Sequence, residues 1–441
     1  MKQTDIRYYL PEIETASREE IEAIQLHKMK KLISYVYERV PFYKQRLDSV
    51  GMTPDKFRCL SDLREIPYTT KEDIRDHYPD RMFAVEKKDI VRYHASSGTT
   101  GKPTVVGYTK GDLEVWTELV ARMAVAAGAT EDDVAQICFG YGLFTGALGL
   151  HYGLEKIGAA VIPSSSGNTE KQLMLMRDLG STLLVATPSY ALYMAEVAKD
   201  NGLSKEDFNL KLALLGSEGC TEEMRDKLEE AWGIFVTDNY GMSELTGPGV
   251  SGECIYRNGL HIAEDHYIPE VIDSKSGAVL QEGERGELVF TTLSKEAFPL
   301  LRYRTRDLSR LNYEPCECGR TMARMDKVCD RADNMLKIKG VNVFPSQIES
   351  VLLAMPQISP NYQIVLTSKN YMDNLEVRVE VVDAALLERF SELENLTNSV
   401  RHQLRVVLGI DAKVTLVGPR SIERTAGKAK RIVDLRGKKT I

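Results

Sequence analysis

The segment Ser96-Ser97-Gly98-Thr99-Thr100-Gly101-Lys102-Pro103-Thr104 packs hydroxyls, glycines and one cation into a single short run. The chemistry it suits is polyphosphate binding: glycine lets backbone N–H groups approach phosphate oxygens, the hydroxyls add donors, and Lys102 adds charge. It is not a Walker A loop, which needs Gly where Ser96 stands and Ser or Thr where Pro103 stands. A plain glycine-rich surface turn is the alternative reading. Asp307, closing Tyr303-Arg304-Thr305-Arg306-Asp307, is a carboxylate able to accept hydrogen bonds from both vicinal hydroxyls of a ribose, although Arg-Asp pairs are more often surface or structural. With Glu244 as a ligand for phosphate-bound magnesium, a nucleotide-triphosphate site becomes the economical reading.

A second constellation is built from metal-ligand types. Cys316-Glu317-Cys318-Gly319 is a paired-thiolate knuckle, and a closed zinc site needs four ligands. Cys254 and His261 supply the missing pair, so a structural Cys3His zinc is expected, the alternative being four independent residues in a reducing compartment. Cys59, Cys138, Cys220 and Cys329 are read as buried small hydrophobes.

Composition narrows the class. At 441 residues, with 43% apolar and 27% charged residues, the chain is that of an ordinary multidomain protein. Its net charge of −7 argues against a nucleic-acid partner, so anionic ligands must be held by local groups. An odd count of seven cysteines and a polar N-terminus fit a reduced, cytoplasmic setting. Residues 137–154 lack Asp, Glu, Lys and Arg for long enough to raise a membrane question. Repeated glycine there points instead to a buried, close-packed strand, loop and helix, and no membrane association is expected.

The elements that must position these groups follow from periodicity. Residues 21–37 carry apolar positions at helical spacing, and Pro41 ends the run. Short β-rich runs at 182–186, 212–215 and 234–236 alternate with helical stretches, as in a parallel sheet covered by helices. Ligands of such sheets bind beyond the carboxyl ends of the strands, which places Ser217, Glu218, Asn239, Tyr240 and Glu244 on loops at the binding edge. From about residue 330 the order β-α-β-β-α-β matches a ferredoxin-like unit, with strands at 341–344, 362–367, 376–382 and 412–417, a helix from 346 to 355 capped by Ser346, and a helical stretch from 384 to 408. Residues 419–431 read as a mobile basic tail. The expected fold is α/β: a large domain, 1–330, with mostly parallel sheets, and a small α+β domain, 331–441.

The phosphate loop, Tyr240-Gly241-Met242-Ser243-Glu244, Tyr303 to Asp307, Arg331-Ala332-Asp333 and Gly427-Lys428 occur in the order found in the adenylate-forming superfamily, which the chain resembles. Residues 35–43, Gly259 to His266 and 339–349 resemble the phenylacetate–CoA ligase family more closely, and the likeness runs from about residue 27 onward. The resemblance implies an acid–thiol ligase that uses ATP, Mg2+ and coenzyme A, takes an aryl carboxylic acid and works as a homodimer. It implies Lys428 as the catalytic lysine beside Glu244. Nucleotide contacts are implied for Ser96, Ser97, Gly98, Thr99, Thr100, Gly101 and Lys102, then for Ser217, Glu218 and Gly219. The rest of that set is Asp238, Asn239, Tyr240, Gly241, Met242, Ser243, Asp307 and Arg331. Asp333 matches the hinge position, with Asp330 in place of a usual Gly and Asn334 in place of a second acid. Tyr141, Phe144, Gly146 and Ala147 stand where the family lines its acyl pocket, though aromatics beside glycines are equally read as core. Transfer to an amine or carrier protein, and a nucleotide-binding protein without catalysis, are the alternatives to CoA ligation.

Overall fold

A computed structural model describes residues 6–96, 103–338, 341–369, 372–425 and 428–436. The chain divides into two compact units, one of residues 1–186, 203–217 and 233–328, the other of 187–202, 218–232 and 329–441.

In the first unit the alternating runs become the parallel half of a nine-stranded sheet. Ala160–Ile162, Val134–Ile137, Leu183–Ala186, Leu212–Gly216 and Phe235–Met242 lie side by side and parallel. Gly247–Glu253, Leu260–Ile262, Arg324–Met325 and Leu311–Asn312 extend it antiparallel. The central strands Leu183–Ala186 and Leu212–Gly216 are wholly apolar, as burial on both faces requires. The strand foreseen at 234–236 runs on to Met242, so Asn239 and Tyr240 sit on a strand rather than a loop. The antiparallel partner Gly247–Glu253 supplies ladder bonds that carry it past its parallel neighbour. A second antiparallel sheet holds Tyr267–Ile272, Gly286–Thr292 and Tyr303–Ser309.

Helix Arg18–Arg39 begins at a Ser17–Glu20 capping box, and Pro41, barred from a helix interior, opens the next helix, Pro41–Ser49. The glycine-rich stretch resolves into strand Val134–Ile137, a loop and helix Gly146–Lys156. A Cβ on Gly149 would strike the Trp116 ring and one on Gly153 would strike Val120, so both glycines serve close packing against helix Lys110–Ala127. Among the described residues no helix is long and apolar enough to cross a membrane.

The second unit has its own core, centred on Ile348, Leu352, Ile364, Val377, Val379, Val400 and Leu404. Helices Pro345–Leu353 and Phe390–Leu408 accompany a four-stranded sheet in the order Lys413–Val417, Met372–Val381, Ile358–Lys369, Ile432–Asp434. This departs from the foreseen order in one strand. Val341–Val343 pairs antiparallel with Leu336–Ile338, and Ile432–Asp434 takes the place beside Ile358–Lys369. The described part of the supposed mobile tail is therefore tied into the sheet, and Arg424 and Arg431 are drawn into ion pairs. Ser346 is not the N-cap: Phe344 occupies that position with Pro345 next, and the Ser346 hydroxyl bonds Asp330 instead. Cys59 is exposed and Cys329 half-buried, whereas Cys138 and Cys220 are buried as expected.

Candidate active site and metal cluster

Ser96 directly follows strand Arg92–Ala95 and bonds Thr104. Strands Arg92–Ala95 and Val105–Tyr108 pair antiparallel; Ser96 N then donates to Thr104 O at 3.0 Å, and Thr104 N donates to Ser96 Oγ at 3.3 Å. Ser97, Gly98, Thr99, Thr100, Gly101 and Lys102 lie outside the described residues. Ser217 follows strand Leu212–Gly216 at φ +75°, a left-handed conformation that serine seldom adopts, at the carboxyl end where such sheets bind ligands. Asp238 and Asn239 are tied into the scaffold: Asp238 N donates to Glu253 Oε2 at 2.8 Å, and Asn239 Nδ2 to Leu215 O at 2.5 Å.

Tyr240 and Asp307 come together in space. The Tyr240 hydroxyl donates to Asp307 Oδ2 at 2.7 Å and lies 3.7 Å from Met242 Sδ, with both Tyr240 and Asp307 buried. A carboxylate held this way by a phenol is fixed in orientation. Ser243 Oγ lies 3.2 Å from Thr145 Oγ1.

Glu244 is only 3% exposed. Its Oε1 lies 3.5 Å from Lys71 Nζ and accepts from the Tyr303 hydroxyl at 3.4 Å, and its main-chain oxygen accepts from Lys295 Nζ at 3.1 Å. Burial pushes the Lys295 ammonium down to about 8, against the pull of Asp112 and Glu244, and its charge also faces the Tyr108 ring at 4.9 Å. Neither Lys71 nor Lys295 was singled out by sequence reasoning, because a lone lysine carries no spacing signal.

In the second unit, Glu218 accepts the N–H of Ser189 at 2.7 Å and that of Ala429 at 3.2 Å, one residue from Lys428. The Lys428 carbonyl accepts the Thr425 hydroxyl at 3.0 Å. Gly219 is half-buried in the bend after Glu218. Arg331 and Asp333 form a bidentate pair, Nε to Oδ1 at 2.9 Å and Nη2 to Oδ2 at 3.1 Å, on the surface.

Around the expected acyl pocket, the Tyr141 hydroxyl lies 3.1 Å from His151 Nδ1, and His151 Nε2 lies 3.0 Å from Glu155 Oε1. Phe144 covers Gly146, where a Cβ would stand 2.7 Å from the ring. Ala147 is fully buried within the main core.

Cys254, His261, Cys316 and Cys318 converge, all buried, with their ligand atoms within 4.8 Å of one another. Cys254 Sγ lies 3.8 Å from Cys316 Sγ, and Cys318 Sγ lies 3.5 Å from His261 Nε2. A Zn–S bond of about 2.3 Å sets tetrahedral S–S edges of about 3.8 Å, so the Cys254–Cys316 separation is compatible with zinc ligation. The hydrogen bonds of Cys254 and Cys316 hold the Cys318 thiol far below its ordinary range, while Cys316 and Cys318 push Cys254 far above. One thiolate thus opposes the next, a conflict that a divalent cation relieves. Among the described residues His261 Nδ1 has no hydrogen-bond partner.

A network that sequence reasoning did not assemble centres on Asp265. Arg122 donates to both oxygens of Asp265, at 3.0 and 2.8 Å, and His266 Nε2 lies 3.1 Å from Asp265 Oδ2. Burial alone raises the Asp265 carboxyl, but the His266 hydrogen bond together with Arg122 and Lys28 holds it at about 2.

Known proteins share this architecture. Residues 9–294 match the AMP-binding enzyme family and residues 340–436 its C-terminal domain. A phenylacetate–coenzyme A ligase of Thermus thermophilus is 48% identical, covering 97% of this chain and 99% of its own. One from Escherichia coli is 46% identical over 97% and 98%. Among solved structures, a 2-hydroxyisobutyryl-CoA ligase in the postadenylation state in complex with 2-HIB-AMP superposes with a TM-score of 0.91 at 29% identity, over 98% of this chain and 94% of that one. By family-model match and by identity over nearly its whole length, the chain belongs to the AMP-binding enzymes and, among them, to the phenylacetate–coenzyme A ligases.

Proposed function

We propose that this chain joins phenylacetate, or a close aryl relative, to coenzyme A in two steps. A carboxylate oxygen attacks the α-phosphorus of ATP, the bond to pyrophosphate breaks, and an acyl-AMP mixed anhydride forms. The CoA sulfur then attacks the acyl carbon, AMP departs, and the thiol proton passes to solvent. The observation that carries the reading is near-full-length identity to phenylacetate–CoA ligases from several bacteria, with Glu244, Asp307 and Lys428 all in place. The names of these relatives favour CoA over an amine or a carrier protein as acceptor.

The electrostatic problem is the approach of two anions. At an effective dielectric near 20, one pair of unit charges about 4 Å apart costs roughly 4 kcal/mol. Lys428 is assigned to that charge, bridging carboxylate and α-phosphate. Asp307, oriented by Tyr240, is assigned to the ribose hydroxyls. The buried Glu244 carboxylate, on a residue whose main-chain oxygen Lys295 holds, fits a hard cation, and magnesium bound there would neutralise the departing pyrophosphate. Tyr141, Phe144 and Gly146 are assigned to the aryl pocket, where a ring face suits offset stacking.

The segment up to residue 330 is assigned to substrate binding and the segment 331–441 to a mobile part that turns about Asp333 between the two steps. The thiol–imidazole cluster is assigned to a structural zinc, which would supply a cross-link and no chemistry. A homodimer in the cytoplasm completes the proposal; light scattering on the purified protein tests the assembly. The function itself is tested with a panel of arylacetic, benzoic and short-chain acids. Pyrophosphate exchange dependent on arylacetate, followed by AMP release dependent on CoA, is expected, and exchange with no acid of the panel refutes it.

A further inference from the structure

Half-buried arginines flank the segment that carries Lys428. On one side Arg431 pairs with Glu349 at 2.9 Å and lies over the Tyr362 ring at 4.3 Å. On the other side all the guanidinium nitrogens of Arg424 are engaged. Nη1 donates to Glu380 Oε1 at 2.7 Å and to Ile422 O at 2.8 Å, and Nη2 donates to Glu380 Oε2 at 2.9 Å. The opposite edge of the same group, Nε and Nη2, donates to Glu196 Oε2 at 3.2 and 3.1 Å.

These two carboxylates differ in where they belong. Glu380 is 1% exposed, ends strand Met372–Val381 and also accepts Ile422 N, so it travels with Arg424. Glu196 stands on helix Pro188–Asp200, outside the C-terminal family domain. Its second oxygen accepts Asn361 Nδ2 at 2.9 Å, and one turn on, Asp200 pairs with Arg420. One helix face therefore holds three side chains of the small domain. Beside them, Ala429 N reaches Glu218, which lies in the expected nucleotide set.

We infer that Glu196 is a positioning residue for Lys428, holding Arg424 and Asn361, and through them the Lys428 segment, in the arrangement that forms the acyl-adenylate. The inference rests on the two-step reading with a turn about Asp333. When the small domain turns, Arg424 keeps Glu380 but cannot keep Glu196, so the contact favours the first step and is lost in the second. Because Glu380 continues to satisfy Arg424, losing Glu196 leaves no buried cation unpaired, and the fold survives.

The test uses full-length protein with Glu196→Ala, Glu196→Gln and Asp333→Pro. The first step is read as arylacetate-dependent pyrophosphate exchange, the second as CoA-dependent consumption of preformed aryl-acetyl adenylate, and folding as the melting temperature. Glu196→Ala is expected to slow exchange about tenfold, equivalent to about 1.4 kcal/mol, while the second step stays within about twofold. Glu196→Gln, which keeps an acceptor for Asn361, falls between. Asp333→Pro is expected to slow the second step far more than the first. Equal slowing of both steps by Glu196→Ala, or no effect on either, overturns the inference. If Asp333→Pro separates the two steps while Glu196→Ala does not, the positioning role alone fails. If neither variant separates them, the turn about Asp333 fails with it.

Discussion

If the Cys254, His261, Cys316 and Cys318 cluster holds the zinc assigned to it, stripping that metal is predicted to loosen the fold without stopping the chemistry. Cys254 directly follows strand Gly247–Glu253, His261 lies within Leu260–Ile262, and the two remaining cysteines lie between Leu311–Asn312 and Arg324–Met325. A metal joining His261 to Cys316 closes a loop of roughly 55 residues, and the chain-entropy relation for a cross-link then gives about 14 cal/mol/K, or about 4 kcal/mol at 25 °C. For a unit of about 300 residues, unfolding entropy is about 0.6 kcal/mol/K, so the loss corresponds to a fall of roughly 7 °C in melting temperature. The assay pairs elemental analysis of protein purified without added metal with melting curves before and after exhaustive chelation. One zinc per chain, a drop of roughly 7 °C on chelation or in Cys318→Ser, and a first step within about twofold of normal at 20 °C are expected. Less than about a tenth of an equivalent of zinc, together with a chelated protein melting within about 1 °C of the untreated one, refutes the reasoning.

Two further perturbations follow from the buried charges. Asp265 is held at about 2 against an ordinary 3.8, so its ionised form contributes about 2 kcal/mol that is fully present above about pH 4 and lost as pH falls toward 2. Urea titrations should therefore find Asp265→Asn less stable than the parent at pH 6 and the gap closing at low pH; a gap independent of pH contradicts the assignment. Lys295→Met removes the ammonium that holds the Glu244 carbonyl, and loss of about 1 kcal/mol of orientation predicts a KM for Mg·ATP raised about fivefold with the fold intact. An unchanged KM in steady-state kinetics contradicts that role.

What could be read in advance was whatever one dominant physical signal controls. The parallel strands announce themselves because burial on both faces demands unbroken apolar runs, as in Leu183–Ala186 and Leu212–Gly216. The four zinc-type ligands were legible from residue types alone, and folding brings them together although 62 positions separate Cys254 from Cys316. Where two elements compete for a segment, sequence is mute. Phe235–Met242 overran its predicted end because a partner 5 residues on in chain supplies the ladder, and Val341–Val343 left the sheet because Ile432–Asp434 pairs in its stead. Basic residues at 424 and 431 resemble a solvated tail until Glu380, Glu196 and Glu349 are seen opposite them. Lys71, Lys295 and the Arg122–Asp265–His266 network escaped for the same reason: each depends on partners far away in the chain. The nucleotide-loop residues 97–102 are legible only as sequence.

The central claim is that one cation at residue 428 lets two anions meet. It is tested most directly by measuring arylacetate-dependent pyrophosphate exchange in Lys428→Ala beside the parent protein. The account predicts a loss of at least about a hundredfold, the scale on which removing one group that stabilises transition-state charge is felt, with ATP still bound. Exchange at the parental rate would contradict it.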